Sequence, residues 1–211
     1  MGYRIIVIAL VASMCLAAGI KKASSAIRHF SHDHHVVLLD WEDGHSDRAK
    51  WSAKLRGDIY SHIADFNKAD WSKYCKKFDS LSNIDRVEVI ATMAVAIAYF
   101  ESSYDPTVAG PDVGNTESIG LFQLSYEDNM KWCAMDSKLG NLIDPIVNID
   151  CAIGEMSFLI SKDNIVAFGG SSEFHEHMAS GLARYWSTTW DDSRGKLNQI
   201  RLRTNSLNIC N

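Results

Sequence analysis

The sequence predicts a mainly α-helical domain with one small loop or β excursion. Three observations carry that reading. Apolar residues recur at three- to four-residue spacing in several separated stretches; residues 84–101, "IDRVEVIATMAVAIAYFE", become apolar all round after Val89; and "SSYDPTVAGPDVGNTESIG" interrupts the helical text with two of the three prolines. At 211 residues and 46% hydrophobic content, the chain can build one sizeable core.

Residues 1–19 read as a signal peptide: Arg4, an apolar run from Ile5 to Leu16, then Ala17, Ala18 and Gly19. That run is short for a membrane span, and no later stretch is long and apolar enough, so no membrane association is expected after processing. Residues 20–45 read as an N-terminal extension. Its histidines His29, His32, His34, His35 and His45 lack a helical His-x-x-x-His pair or a cysteine partner, so no metal and no cofactor is expected.

The body is expected over residues 46–211. From Ser46 to about Ala69, Trp51, Leu55, Ile59, Ile63 and Phe66 lie on one helical face. Asp70 is placed to cap a short helix over "WSKYCKKF", and Ser82 or Asn83 to cap the central helix. Helical patterns return at "YEDNMKWCAMDSKL", "IVNIDCAIGEMSFLI", "SSEFHEHMASGLARYW" and "SRGKLNQIRL", and a small β excursion is allowed between Tyr104 and Ser118.

Signal cleavage removes Cys15 and leaves Cys75, Cys133, Cys151 and Cys210, an even set in an oxidising compartment. Three pairings are open, as are free buried thiols. The preferred set is Cys75 with Cys210, tying the chain end to the body, and Cys133 with Cys151, joining neighbouring helices. A net charge of −5, with no basic stripe, argues against nucleic acid as a partner.

Glu101 poses the chemical question. A helix written for burial ends on a carboxyl group, just before an irregular polar loop, where apolar surroundings favour the protonated form while substrate can still reach it. An ordinary exposed carboxylate explains the placement poorly, because a helix C-terminus disfavours negative charge.

Four blocks then fall in a telling order: "ESSYDP" at 101–106, "SIGLFQLS" at 118–125, "LIDPIVNI" at 142–149 and "LARYW" at 182–186. Over roughly residues 84–190 the chain resembles the soluble lytic transglycosylase and goose-type lysozyme superfamily. The resemblance implies a lysozyme-like fold and a secreted or periplasmic enzyme, expected to be a monomer, whose substrate is the glycan strand of peptidoglycan. Position by position, Glu101 matches the family's catalytic acid and Ser102 its neighbour. Gly120, Leu121, Phe122 and Gln123 match a substrate-lining turn, with the glycine admitting the sugar and Gln123 offering an amide. Tyr185 matches a tyrosine near the acid. Asp144, Pro145 and Asn148 read as scaffold. Phe122 stands where Met is common, and Trp186 where Asn is typical; Trp186 is a candidate stacking face for a sugar ring.

The expected function is a muramidase cutting the β-1,4 bond between N-acetylmuramic acid and N-acetylglucosamine. An inverting hydrolase needs a second carboxylate roughly 6.5–9.5 Å from the acid to activate water. Asp112 is the first candidate and Glu117 the second. The alternative is a lytic transglycosylase, which dispenses with that carboxylate and leaves 1,6-anhydromuramyl ends. A non-catalytic glycan-binding module and a metal-dependent hydrolase using the histidine tract are further alternatives. The acidic balance suits a glycan that has lost N-acetyl groups and gained ammonium groups. In this the chain is similar to lysozymes of predatory bacteria that cut de-N-acetylated peptidoglycan.

Overall fold

A computed structural model describes residues 36–111, 117–126, 141–170, 178–191 and 193–211. The signal-peptide reading, His29 to His35, Asp112, Cys133 and most of "YEDNMKWCAMDSKL" lie outside these residues. Residues Val37–Asn211 form one compact unit.

Helix α1 (Ala49–Ser61) and a single further turn, α2 (Ile63–Phe66), follow the greasy face read from sequence: Trp51, Leu55, Ile59 and Phe66 are buried. The long helix α3 (Asn83–Ser102) starts on Ser82, whose hydroxyl accepts from the Asp85 amide and donates to the Asp85 carboxylate, so two polar groups of the first turn satisfy each other. Every residue from Val87 to Ala98 except Thr92 is buried, which makes α3 the central element. Helix α4 (Pro145–Asp163) opens with Asp144, whose carboxylate accepts from the Ile146 amide, and with proline at its first position, where a missing N–H costs no hydrogen bond. Helix α5 (Lys196–Asn205) packs on α3, while α1 packs on both α3 and α4.

The β excursion is a short antiparallel hairpin. Strand β1 (Ala109–Pro111) pairs with β2 (Glu117–Ile119) in the register Ala109 to Ile119 and Pro111 to Glu117. A second pair, β3 (Ala167–Phe168) with β4 (Ser180–Gly181), follows α4. The described chain is therefore mostly helical with small two-stranded sheets, as expected.

Three expectations need correction. Residues 37–45 are not an appendage. Leu39 and Trp41 are buried, and the Arg56–Glu88 ion pair holds Val37 through both its carbonyl and its amide. Their irregular sequence hid a segment fastened by side chains instead of by a helix or sheet. The "WSKYCKKF" helix is a run of turns ending in a 3-10 turn, Phe78–Ser80. There Asp70 accepts from the Ser72 amide, closing a local turn in place of a helix, and the Trp71 and Phe78 rings stack. Finally, residues 178–186 form no α-helix. Gly181 has φ +60°, and a Cβ there would stand 2.4 Å from the carbonyl oxygens of Ile165 and Val166, so the chain enters β4 and then a 3-10 turn, Leu182–Arg184.

Cys75 and Cys210 are bonded, as the preferred pairing has it, joining the chain end to the body. Cys151 is also disulfide-bonded.

Candidate active site

Glu101 stands in the last turn of α3. The helix is stopped by two consecutive residues in the left-handed region, Ser103 at φ 53° and Tyr104 at φ 67°, and the Ser103 amide caps the Tyr99 carbonyl. Neither is glycine, so the conformation is held by tertiary packing against local preference. Tyr104 packs edge-on against Trp41.

Glu101 is half-buried, and the hydroxyl of Thr188 donates to its Oε1 at 2.7 Å. Ser102, the next residue, is buried and donates to the carbonyls of Leu121 at 2.9 Å and Ala98 at 3.2 Å. The end of α3 is thereby tied to two places in the chain, the turn after β2 and the 3-10 turn Ser187–Thr189.

The turn after β2 depends on Gly120 and Asn148. Gly120 has φ +77°, and a Cβ would meet the Leu142 carbonyl at 2.4 Å and the Asn148 amide at 2.5 Å. Asn148, fully buried in the first turn of α4, donates to the carbonyls of Ile119 and Leu142 and accepts from the Phe122 amide. Gln123, at φ 50°, donates its side-chain amide to the carbonyls of Gly120 and Val108. Tyr185 closes the far end: its hydroxyl accepts from the Ser125 amide at 3.0 Å and reaches the Gln123 carbonyl at 3.4 Å.

The structure thus brings together Glu101, Ser102, residues 120–123, Tyr185 and Trp186, but it changes what several of them can do. Leu121 and Phe122 are fully buried, so their side chains line the core beneath the turn and not a substrate surface. Trp186 is 2% exposed and donates its indole N–H to the Phe122 carbonyl at 2.9 Å, which excludes a sugar-stacking face. The glycine at 120 makes room for Asn148 and Leu142, not for a sugar. Gln123 spends its N–H donors on the backbone. Glu117 is exposed at the start of β2; Asp112 is outside the described residues. Two contacts were not legible in the motifs: the three-bond clamp made by Asn148, read only as scaffold, and the bond from Thr188 to Glu101. Asn148 was a buried polar residue between Val147 and Ile149, a pattern that demands internal partners. Thr188 sits in the "WSTTW" run directly after the "LARYW" block, hydroxyls in aromatic surroundings.

Residues 81–168 match the family model described as "Transglycosylase SLT domain". These residues resemble that domain, and together with the fold they support the lysozyme-like resemblance read from the sequence. Solved structures agree. Wild-type DslA (Bd0314), a Bdellovibrio lysozyme-like protein, superposes with a TM-score of 0.72 at 26% identity, covering 83% of this chain and 98% of its own. Two glutamate-to-glutamine variants of DslA give TM-scores of 0.73 and 0.70 at 24% and 25% identity, covering 84% and 83% of this chain and 100% and 98% of theirs. No curated protein sequence matches the chain. The lysozyme-like chain is an enzyme of peptidoglycan glycan, a glycoside hydrolase or a lytic transglycosylase. Among the described residues, no helix is long and apolar enough to cross a membrane.

Proposed function

We propose that the chain is an exported muramidase in which Glu101 protonates the glycosidic oxygen between N-acetylmuramic acid and N-acetylglucosamine. The observation that carries this reading is the seating of the Glu101 carboxyl group. It ends a buried helix, is fixed by Thr188, and adjoins the turn that matches the family's substrate-lining motif.

In the hydrolytic reaction, the Glu101 proton goes to the leaving oxygen as the C1–O bond breaks. A second carboxylate takes a proton from the water that attacks C1. Asp112 is the first candidate for that base and Glu117 the second. The two glutamates replaced in the DslA variants are eleven residues apart, the same separation as Glu101 and Asp112 here. That spacing supports Asp112. The matched family description favours a second reading, lytic transglycosylation. There the muramyl C6 hydroxyl attacks C1, gives up its proton and closes a 1,6-anhydro ring, and no water is consumed.

The acidic balance of the chain supports a preference for glycan bearing free amino groups. The working form is a secreted or periplasmic monomer, and the Cys75–Cys210 disulfide supports an oxidising compartment.

Purified Glu101→Gln should bind sacculi but fail to dissolve them; lysis at the parental rate removes the reading. Mass spectrometry of the released muropeptides separates the two chemistries, because an anhydro end is lighter by one water than a hydrolysed end. Equal rates on acetylated and deacetylated walls would dispose of the substrate preference.

A further inference from the structure

We infer that Thr188 is the positioning residue of the acid: its hydroxyl fixes the rotamer of Glu101 and so sets the direction from which the proton is delivered. This rests on the reading of Glu101 as proton donor.

Thr188 lies 87 residues from Glu101 in sequence and is 2% exposed, yet its hydroxyl reaches Oε1 at 2.7 Å. A glutamate has three side-chain torsions, and a hydrogen bond to its carboxyl group restrains them. The partner, by contrast, is stiff. Threonine is branched at Cβ and restricted about χ1. The turn that carries it is fastened on both sides: Thr189 donates to the Trp186 carbonyl at 2.7 Å, Trp186 donates to Phe122, and Trp190 donates its indole N–H to Ala183 at 2.8 Å. Gly170 leaves room for the Trp190 ring, since a Cβ there would stand 2.3 Å from it.

A rigid hydroxyl bonded to Oε1 makes the two carboxyl oxygens inequivalent. It also holds the group in one orientation before substrate arrives, so that alignment is built in before the reaction. The hydroxyl donates to Oε1 both when the group is a carboxylate and when it carries its proton on Oε2, leaving that proton free for the substrate. The same contact therefore survives a catalytic cycle in which Glu101 loses and regains its proton.

The test compares Thr188→Val, which keeps the shape and removes the hydroxyl, with Thr188→Ser, which keeps the hydroxyl. Thermal melting of each variant checks the fold, and turnover is measured on soluble glycan fragments from sacculi. The inference requires kcat to fall roughly tenfold in Thr188→Val, with KM within about twofold of the parent, and kcat to return to within about threefold in Thr188→Ser. Parental kcat in Thr188→Val overturns it. So does an equal loss in both variants, because that ties the effect to shape and not to the hydroxyl. Glu101→Gln run alongside separates the two ideas: its inactivity with a fully active Thr188→Val defeats only the Thr188 inference, whereas its full activity defeats the reading of Glu101.

Discussion

Asn148 accepts the backbone amide of Phe122 at 2.9 Å, and with that bond the first turn of α4 holds the turn beside Glu101. The same side chain donates to Ile119 and Leu142, so it satisfies three buried backbone groups at once. Asn148→Ala strands all three. A loss of about 3 kcal/mol is expected, with a fall in Tm of about 6–12 °C for a chain of this size. Gly120→Ala should be as harmful, since it crowds the same amide from the other side. A melting point within about 1 °C of the parent in either variant would contradict the clamp.

Arg56 and Glu88 form a buried ion pair at 2.8 Å that also binds both backbone polar groups of Val37. Removing one charge leaves the other buried without its counterion, which costs about 3–5 kcal/mol. Arg56→Ala should therefore lower stability by that order in a urea melt and release the segment at 37–45, seen as faster hydrogen exchange at Val37. Exchange unchanged at Val37 would show that Leu39 and Trp41 suffice to hold it.

The Cys75–Cys210 bridge closes a sequence separation of 135. In the chain-entropy account a loop of that length contributes about 5 kcal/mol, an upper bound since measured values centre on about 2–4. A Cys75→Ser, Cys210→Ser double variant tests this without disturbing Cys151. It should melt well below the parent and lose order first around the 3-10 turn Asn208–Cys210.

Asp163 is held below the usual aspartate range, chiefly by its hydrogen bond with Arg184, with burial opposing and the Gly181 amide assisting. The unfolded chain takes up that proton more readily than the folded protein. The contribution is therefore complete above the ordinary aspartate range and disappears as pH falls through the lowered folded value. Arg184→Met should be less stable than the parent at pH 7, and the gap should close at a pH below the lowered folded value of Asp163. Urea melts at both pH values measure it; a gap independent of pH would place the effect in packing and not in the ion pair.

The parts of this protein legible in sequence are those governed by period and capping. The burial of α3 and a small β excursion after Tyr104 follow from local text, whereas Asp144 and Pro145, read only as scaffold, open α4. The missed parts are long-range. Nothing near Val37 announces Glu88, and nothing near Thr188 announces Glu101. The matched motifs located the neighbourhood of the acid but suggested direct substrate contact for side chains such as Phe122 and Trp186. Those side chains are buried, because the motif preserves the shape of a turn as much as it does any surface.

Three residues within 185–188 reach both the turn at 120–125 and Glu101: Tyr185 to Ser125, Trp186 to Phe122, Thr188 to Glu101. A single short fastener thus sets the spacing between Glu101 and the turn at 120–125. Jostling that shifts one carries the other along. Even a one-residue insertion inside this fastener would throw the two out of alignment.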